Sequence, residues 1–193
     1  MSHATSASPR IAPLEPPFET EIGALLAKMT PPGTPDVLAL FRTLAVNPKL
    51  AERMTGTGGY FLGRHATLPL RDREIVIDRV CARCGNEYEW GVHVAAFAKA
   101  AGLTDAEVRA TVTWPSDETA WPERDALLIE MVDALHEDAA VPDALWGKLA
   151  ALYSEAQLLE LLMLAGWYHA ISFVCNAARV PLETWQARLP KAL

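Results

Sequence analysis

From about residue 19 to residue 180, apolar residues recur at intervals of three and four, the period of an α-helix. Glu19 to Met29 lines up Ile22, Leu25, Leu26 and Met29 and stops at Pro31-Pro32-Gly33. Thr34 as cap and Pro35 in a first turn open a helix to about Val46. Pro48 opens another to about Met54, and Gly56, Gly58 and Gly59 leave open whether it kinks or ends there. Leu70 to Arg83 is periodic and closes at Gly85; the next helix runs from about Asn86 to Ala101 and ends at Gly102. Thr104 with Glu107, and Ser154 with Gln157, have the spacing of capping boxes. They start a short helix to about Val112 and a long apolar one to about Val180. Pro122 and Pro142 stand before Glu123 to Leu135 and Asp143 to Leu152, and Pro115 to Ala120 reads as loop. No run alternates at period two and no hairpin turn pair occurs, so the expected fold is all-α, a compact bundle of eight or nine helices.

Residues 1–17, with Pro9, Pro13, Pro16 and Pro17, are expected as a flexible, extended N-terminal arm, and residues 18–193 as a single all-helical domain. The chain has 193 residues, 51% of them hydrophobic and 21% charged, enough for a substantial core. Its 17 basic and 24 acidic residues give a net charge of -7, which argues against a nucleic-acid partner. Three cysteines make no disulfide framework and suit a reducing compartment. The first residues lack the apolar run of a secretory signal. Leu158 to Val174 is interrupted by Glu160, His169 and Ser172 and reads as a buried helix. A cytoplasmic protein with no membrane partner is the expectation.

Candidate chemistry gathers between residues 74 and 93. On the helix after Gly85, Asn86, Glu89, Trp90 and His93 lie three or four apart and share a face. A carboxylate one turn before an imidazole can orient it and leave the other ring nitrogen as a base near neutral pH. Glu74 and Asp78 are one turn apart on the preceding helix, and one of them is expected to face His93. Cys81 and Cys84 form a CxxC able in principle to cycle between dithiol and disulfide, although a helix C-terminus disfavours a thiolate. Tyr88, Trp90, Arg64 and His65 join Asn86 as residues expected to line a substrate pocket, with His169 a secondary candidate and Cys175 core. There is no H-E-x-x-H and no second CxxC, so neither a metal nor any other cofactor is expected.

The string Cys84-Gly-Asn-Glu-Tyr-Glu-Trp-Gly-Val-His93, with Arg73-Glu74 upstream and Ala101-Gly102-Leu103 downstream, resembles the carboxymuconolactone decarboxylase family, which includes alkylhydroperoxidase-like proteins. The resemblance implies an all-α fold, assembly as a dimer, trimer or hexamer, and a site between helices for a small-molecule substrate. The family's peroxidase branch uses a glutamate followed by C-x-x-C-x-x-x-H. Anchored on His93, the glutamate falls on Glu74, but the two cysteine positions hold Asn86 and Glu89. Two enzymes follow from the resemblance. One is decarboxylase-like, with Glu74, Glu89 and His93 as acid–base groups acting on a small organic acid or lactone, and Arg64 or Arg79 binding a carboxylate. The other is a thiol-dependent alkylhydroperoxidase built on the displaced Cys81 and Cys84. A non-catalytic helical binding protein is the third reading.

Overall fold

The computed structural model describes residues 8–30, 34, 36–115 and 121–190. The Pro31-Pro32-Gly33 stop, Pro35 as a first-turn residue and most of the loop at residues 115–120 lie outside the described residues. Among the described residues the chain forms nine α-helices and no strand. They are α1 (Thr20–Met29), α2 (Ala39–Leu44), α3 (Pro48–Phe61), α4 (Leu70–Arg83), α5 (Glu87–Phe97), α6 (Asp105–Thr113), α7 (Glu123–Asp138), α8 (Asp143–Ala150) and α9 (Glu155–Ala178). The chain divides into two compact units, Met1–Ala66 with Phe173–Glu183, and Thr67–Ser172 with Thr184–Leu193.

In the first unit α1, α2 and α3 pack on one another. Residues 8–17 form no helix or strand and are tied by Arg10 N–H to the Ala178 carbonyl (2.8 Å) and Leu14 N–H to the Arg42 carbonyl (3.2 Å). Two elements differ from the sequence expectation. The helix expected from Thr34 begins only at Ala39, whose amide donates to the Glu183 carboxylate at 2.7 Å, so a residue far away in sequence serves as the cap. The helix from Pro48 continues through its glycines to Phe61, because Asn47 caps its start and Ala51 and Phe61 are buried near its two ends.

The second unit is organised on α4, which packs against α5, α6 and α7. A helix buried on one side shows an apolar stripe. In α4 every residue from Glu74 to Cys81 is buried, and so is Asp72. Its charged side chains therefore need partners inside the protein. The Arg79 guanidinium, 2% exposed, donates to both Asp133 oxygens at 2.8 Å and to the Thr111 carbonyl at 2.8 Å. Asp72 accepts a two-pronged bond from Arg124 (2.8 and 2.6 Å) and one from the Tyr153 hydroxyl (2.8 Å). Asp78 is the exception, since neither of its buried oxygens has a hydrogen-bond partner. Burial first, and the charge of Glu74 second, push its carboxyl well above the usual range, against the opposing charge of His93.

α4 and α5 are joined by a tight reversal. Gly85 adopts φ +60°, and the amides of Gly85 and Asn86 bond back to the carbonyls of Ala82 and Cys81 at 3.0 and 2.8 Å, a Schellman ending. Asn86 is at once the N-cap of α5, its side chain accepting from Glu89 N–H. Both capping boxes form as expected, Thr104 with Glu107 and Ser154 with Gln157. Along α5, a β-carbon at Gly91 would lie 2.2 Å from the Ala187 carbonyl, so the final segment runs directly over its backbone. Among the described helices α9 is the one long and apolar enough to cross a membrane, but half of its most apolar stretch is buried.

Replacing Asp133 by alanine leaves Arg79 buried without its counter-charge. We expect a loss of about 3 kcal/mol, read as a lower urea midpoint at unchanged slope. A midpoint within error of the parent contradicts this account of the clamp.

Candidate functional site

The reversal at Gly85 sets α4 and α5 side by side and brings Glu74 to His93. The Glu74 carboxylate lies 2.8 Å from His93 Nδ1, and its other oxygen accepts from Arg73 at 2.8 Å. His93 Nε2 lies 2.9 Å from the Tyr168 hydroxyl on α9 and 3.5 Å from Glu89, one turn back on its own helix. Tyr168 packs edge-on to the imidazole with ring centroids 5.1 Å apart. This stretch of α9 is in turn tied to the reversal, since Asn86 Nδ2 donates to Ser172 Oγ (3.0 Å) and Ser172 Oγ donates to the Tyr168 carbonyl (2.7 Å). Glu74, Glu89, His93 and Tyr168 are all buried.

Electrostatics give His93 a role different from the neutral base of the sequence reading. Burial alone would depress it, but the charge and hydrogen bond of Glu74, followed by those of Glu89, raise its pKa to about 10. At neutral pH the ring is an imidazolium held between two carboxylates, a proton donor. Burial, then the charges of Glu89 and Glu74, drive the Tyr168 phenol well above its ordinary value, so it stays protonated.

A second cluster lies on the other side of Ser172. Cys81 is buried in the last turn of α4, and Cys84, its C-cap, is half-buried. The Cys84 sulfur and one nitrogen each from His136 on α7 and His169 on α9 all lie within 4.8 Å of one another. His136 Nδ1 and His169 Nε2 are 2.9 Å apart, and His169 Nδ1 lies 3.2 Å from the Ala165 carbonyl. Burial pushes the Cys84 thiol up, against the opposing effects of a hydrogen bond with Ser172 and of Arg83. Burial, then Arg83 and His169, lower His136, which is therefore neutral at pH 7.

Glu74, Glu89 and His93 thus meet as expected, with Glu74 rather than Asp78 facing the ring, and Asn86 braces the group. Tyr88 and Trp90 are buried, and the Trp90 indole donates to Thr111 Oγ1 at 2.9 Å as part of the core. Arg64 and His65 belong to the first unit, exposed and facing each other at 3.4 Å. Arg79, read from the sequence as a possible carboxylate binder, is instead committed to the Asp133 clamp because it is buried with it. Cys175 is buried, as expected. Sequence reasoning missed His136 altogether, as well as the contact of Tyr168 with His93. Each depends on a neighbour tens of residues away, so no local spacing marks it.

Residues 48–132 match the model of the carboxymuconolactone decarboxylase family. Among curated protein sequences none gives a significant match. Several solved structures share the fold. A peroxidase-related protein from Silicibacter sp. TM1040 superposes with a TM-score of 0.76 at 14% identity, over 96% of this chain and 100% of that one. The debrominase Bmp8, as a cysteine-to-alanine variant in complex with 2,3,4-tribromopyrrole, gives 0.74 at 16% identity, over 93% and 94%. A protein of unknown function from Agrobacterium tumefaciens gives 0.65 at 16% identity, over 73% and 95%. The chain therefore has the all-α fold of the carboxymuconolactone decarboxylase and AhpD-like proteins.

Because the folded pKa of His93 is raised above its unfolded value of 6.5, the stability it contributes is complete below about pH 6.5 and is lost as pH rises towards about 10. Glu74→Gln removes the largest raising influence. We expect the imidazole, followed by NMR, to stay charged at pH 8 in the parent and to titrate at least about one unit lower in the variant. A neutral ring in the parent at pH 8 refutes the assignment.

Proposed function

We propose that this chain is a thiol-dependent, peroxidase-like oxidoreductase of the carboxymuconolactone decarboxylase family, with Cys84 as the thiol that meets a hydroperoxide and Cys81 as its partner. The observation that carries this reading is the half-buried Cys84 sulfur in the company of two imidazoles, while Glu74, Glu89 and His93 are sealed. A thiol whose pKa is pushed up needs a base, and a neutral histidine beside it is one. The likeness in fold to a peroxidase-related protein supports the same branch.

The imidazole pair takes the Cys84 proton, and the thiolate attacks the outer oxygen of the hydroperoxide. The O–O bond breaks, Cys84 becomes a sulfenic acid, and the departing alkoxide recovers the proton and leaves as an alcohol. The Cys81 thiol then attacks the sulfenic sulfur, an S–S bond forms and water leaves. An external dithiol returns both cysteines to thiols. The charge of a Cys81 thiolate is among the influences that keep the nearby Tyr168 phenol protonated. Assembly as a homo-oligomer and a reducing, cytoplasmic setting, in which all three free cysteines stay reduced, belong to the same proposal.

A second reading is favoured by the Glu74–His93–Tyr168 chain itself, namely a cofactor-independent acid–base enzyme acting on a small organic acid or lactone. There, the His93 imidazolium protonates the carbanion left by decarboxylation.

Mutagenesis separates the two. With an organic hydroperoxide and a dithiol reductant, we expect Cys84→Ser to lose turnover at least about 100-fold and Cys81→Ser to stop after one oxidation. Alanine at His136 or His169 should slow thiol oxidation by about 100-fold. Full peroxide turnover in Cys84→Ser sinks the thiol reading.

A further inference from the structure

Three donors that no sequence motif links converge at one end of α4. Cys84 caps that helix, His136 lies in the last turn of α7, and His169 lies on α9. Their sulfur and two nitrogens all fall within 4.8 Å of each other. In four-coordinate zinc, with metal–nitrogen bonds near 2.0 Å and metal–sulfur near 2.3 Å, neighbouring donors lie about 3.3 to 3.6 Å apart. Reaching that geometry needs donor separations to close by at most about 1.5 Å, shared between half-buried side chains.

The imidazoles are also set up for the task. His169 Nδ1 points at the Ala165 carbonyl, which fixes its proton on that nitrogen and leaves the Nε2 lone pair aimed at His136. A ligand histidine held by a backbone carbonyl through its other nitrogen is the usual outer-shell arrangement of a metal site. The bond between the two rings is one shared proton, which a cation replaces once His136 moves its own proton to Nε2. The C-terminal ends of α4 and α7 both face this place, and the partial negative charge of a helix C-terminus favours a cation. Asp133 and Glu137 bear on His136 in the same sense. Arg83 opposes them and acts on His136 more strongly than either, although it is itself paired with Glu137 at 2.8 Å and with Asp133 at 3.5 Å.

We propose that Cys84, His136 and His169 form a binding site for a thiophilic divalent ion of the zinc class, with a solvent molecule as fourth ligand. One thiolate and two imidazoles are a donor set that zinc accepts and that magnesium and calcium do not. Binding releases about one proton, that of the Cys84 thiol. Binding itself stands independently of the peroxidase reading; its effect on activity rests on that reading. The ion occupies the Cys84 sulfur and blocks its attack on peroxide, so metal and oxidant compete for one thiol.

The test is a titration of the reduced, metal-free full chain with cobalt(II), followed by zinc displacement. We expect one equivalent of cobalt to bind with the sulfur-to-metal charge-transfer band and intense visible absorption of tetrahedral thiolate coordination, and zinc to bleach both. Cys84→Ser should remove the charge-transfer band. His136→Ala and His169→Ala should each weaken binding about 100-fold or more, while Cys81→Ser keeps the spectrum. Far-UV circular dichroism confirms that each variant is folded. If the band is missing in the parent, or persists in folded Cys84→Ser, the proposal falls. Hydroperoxide turnover is assayed separately with chelator present. Absent turnover together with a band that needs all three residues refutes the thiol function and supports the metal site. Present turnover that one equivalent of zinc leaves unchanged refutes the competition.

Discussion

The second unit depends on the near-complete burial of α4, a helix that carries charge as well as apolar side chains. Burying an isolated charge costs far more than any single contact returns, so the buried ionisable groups of α4, Asp78 apart, dictate a partner and its direction. Arg79 calls for Asp133 and thereby fixes α7 in register; Asp72 calls for Arg124 and Tyr153. Glu74 calls for His93, and the two-residue reversal at Gly85 is what lets α5 provide it. Anchoring α7 through Asp133 also places His136, one turn further on, near the end of α4 where Cys84 lies.

Much of this was legible in the sequence because it is local. Glycine and proline stops, the Thr104 and Ser154 capping boxes and the three-and-four spacing depend on neighbours within a few residues, and seven of the helices lie close to where that spacing puts them. Legibility failed where a distant group took over. The start of α2 receives its cap from Glu183, and α3 runs through its glycines with Ala51 and Phe61 buried near its two ends. The same division holds in the site. Glu74, Glu89 and His93 are readable from their spacing, whereas Tyr168 meets His93 across 75 residues and His136 meets His169 across 33. Spacing brings both carboxylates to His93 but says nothing of how strongly burial couples them to it, and that coupling turns the ring from a base into an acid.

The two clusters differ in kind although Ser172 touches both. The inner one is a closed chain of carboxylate, imidazolium and phenol, in which every proton position is held by a neighbour. The outer one consists of a thiol and two imidazoles at half-buried positions, where protons or ligands can be exchanged with solvent. Low dielectric keeps the inner charges strongly coupled, while the outer groups respond to what solvent brings.

Where the final segment crosses α5, recognition runs through main chain: Ala187 N–H bonds to the Gly91 carbonyl at 3.0 Å, and the Gln186 side chain reaches the Glu87 carbonyl at 2.9 Å. The two partners in this crossing therefore tolerate substitution unequally. At position 187 the groups that meet α5 are the main-chain N–H and carbonyl, which every residue but proline supplies. At position 91 the constraint falls on the side chain itself, because a β-carbon there would lie 2.2 Å from the Ala187 carbonyl oxygen.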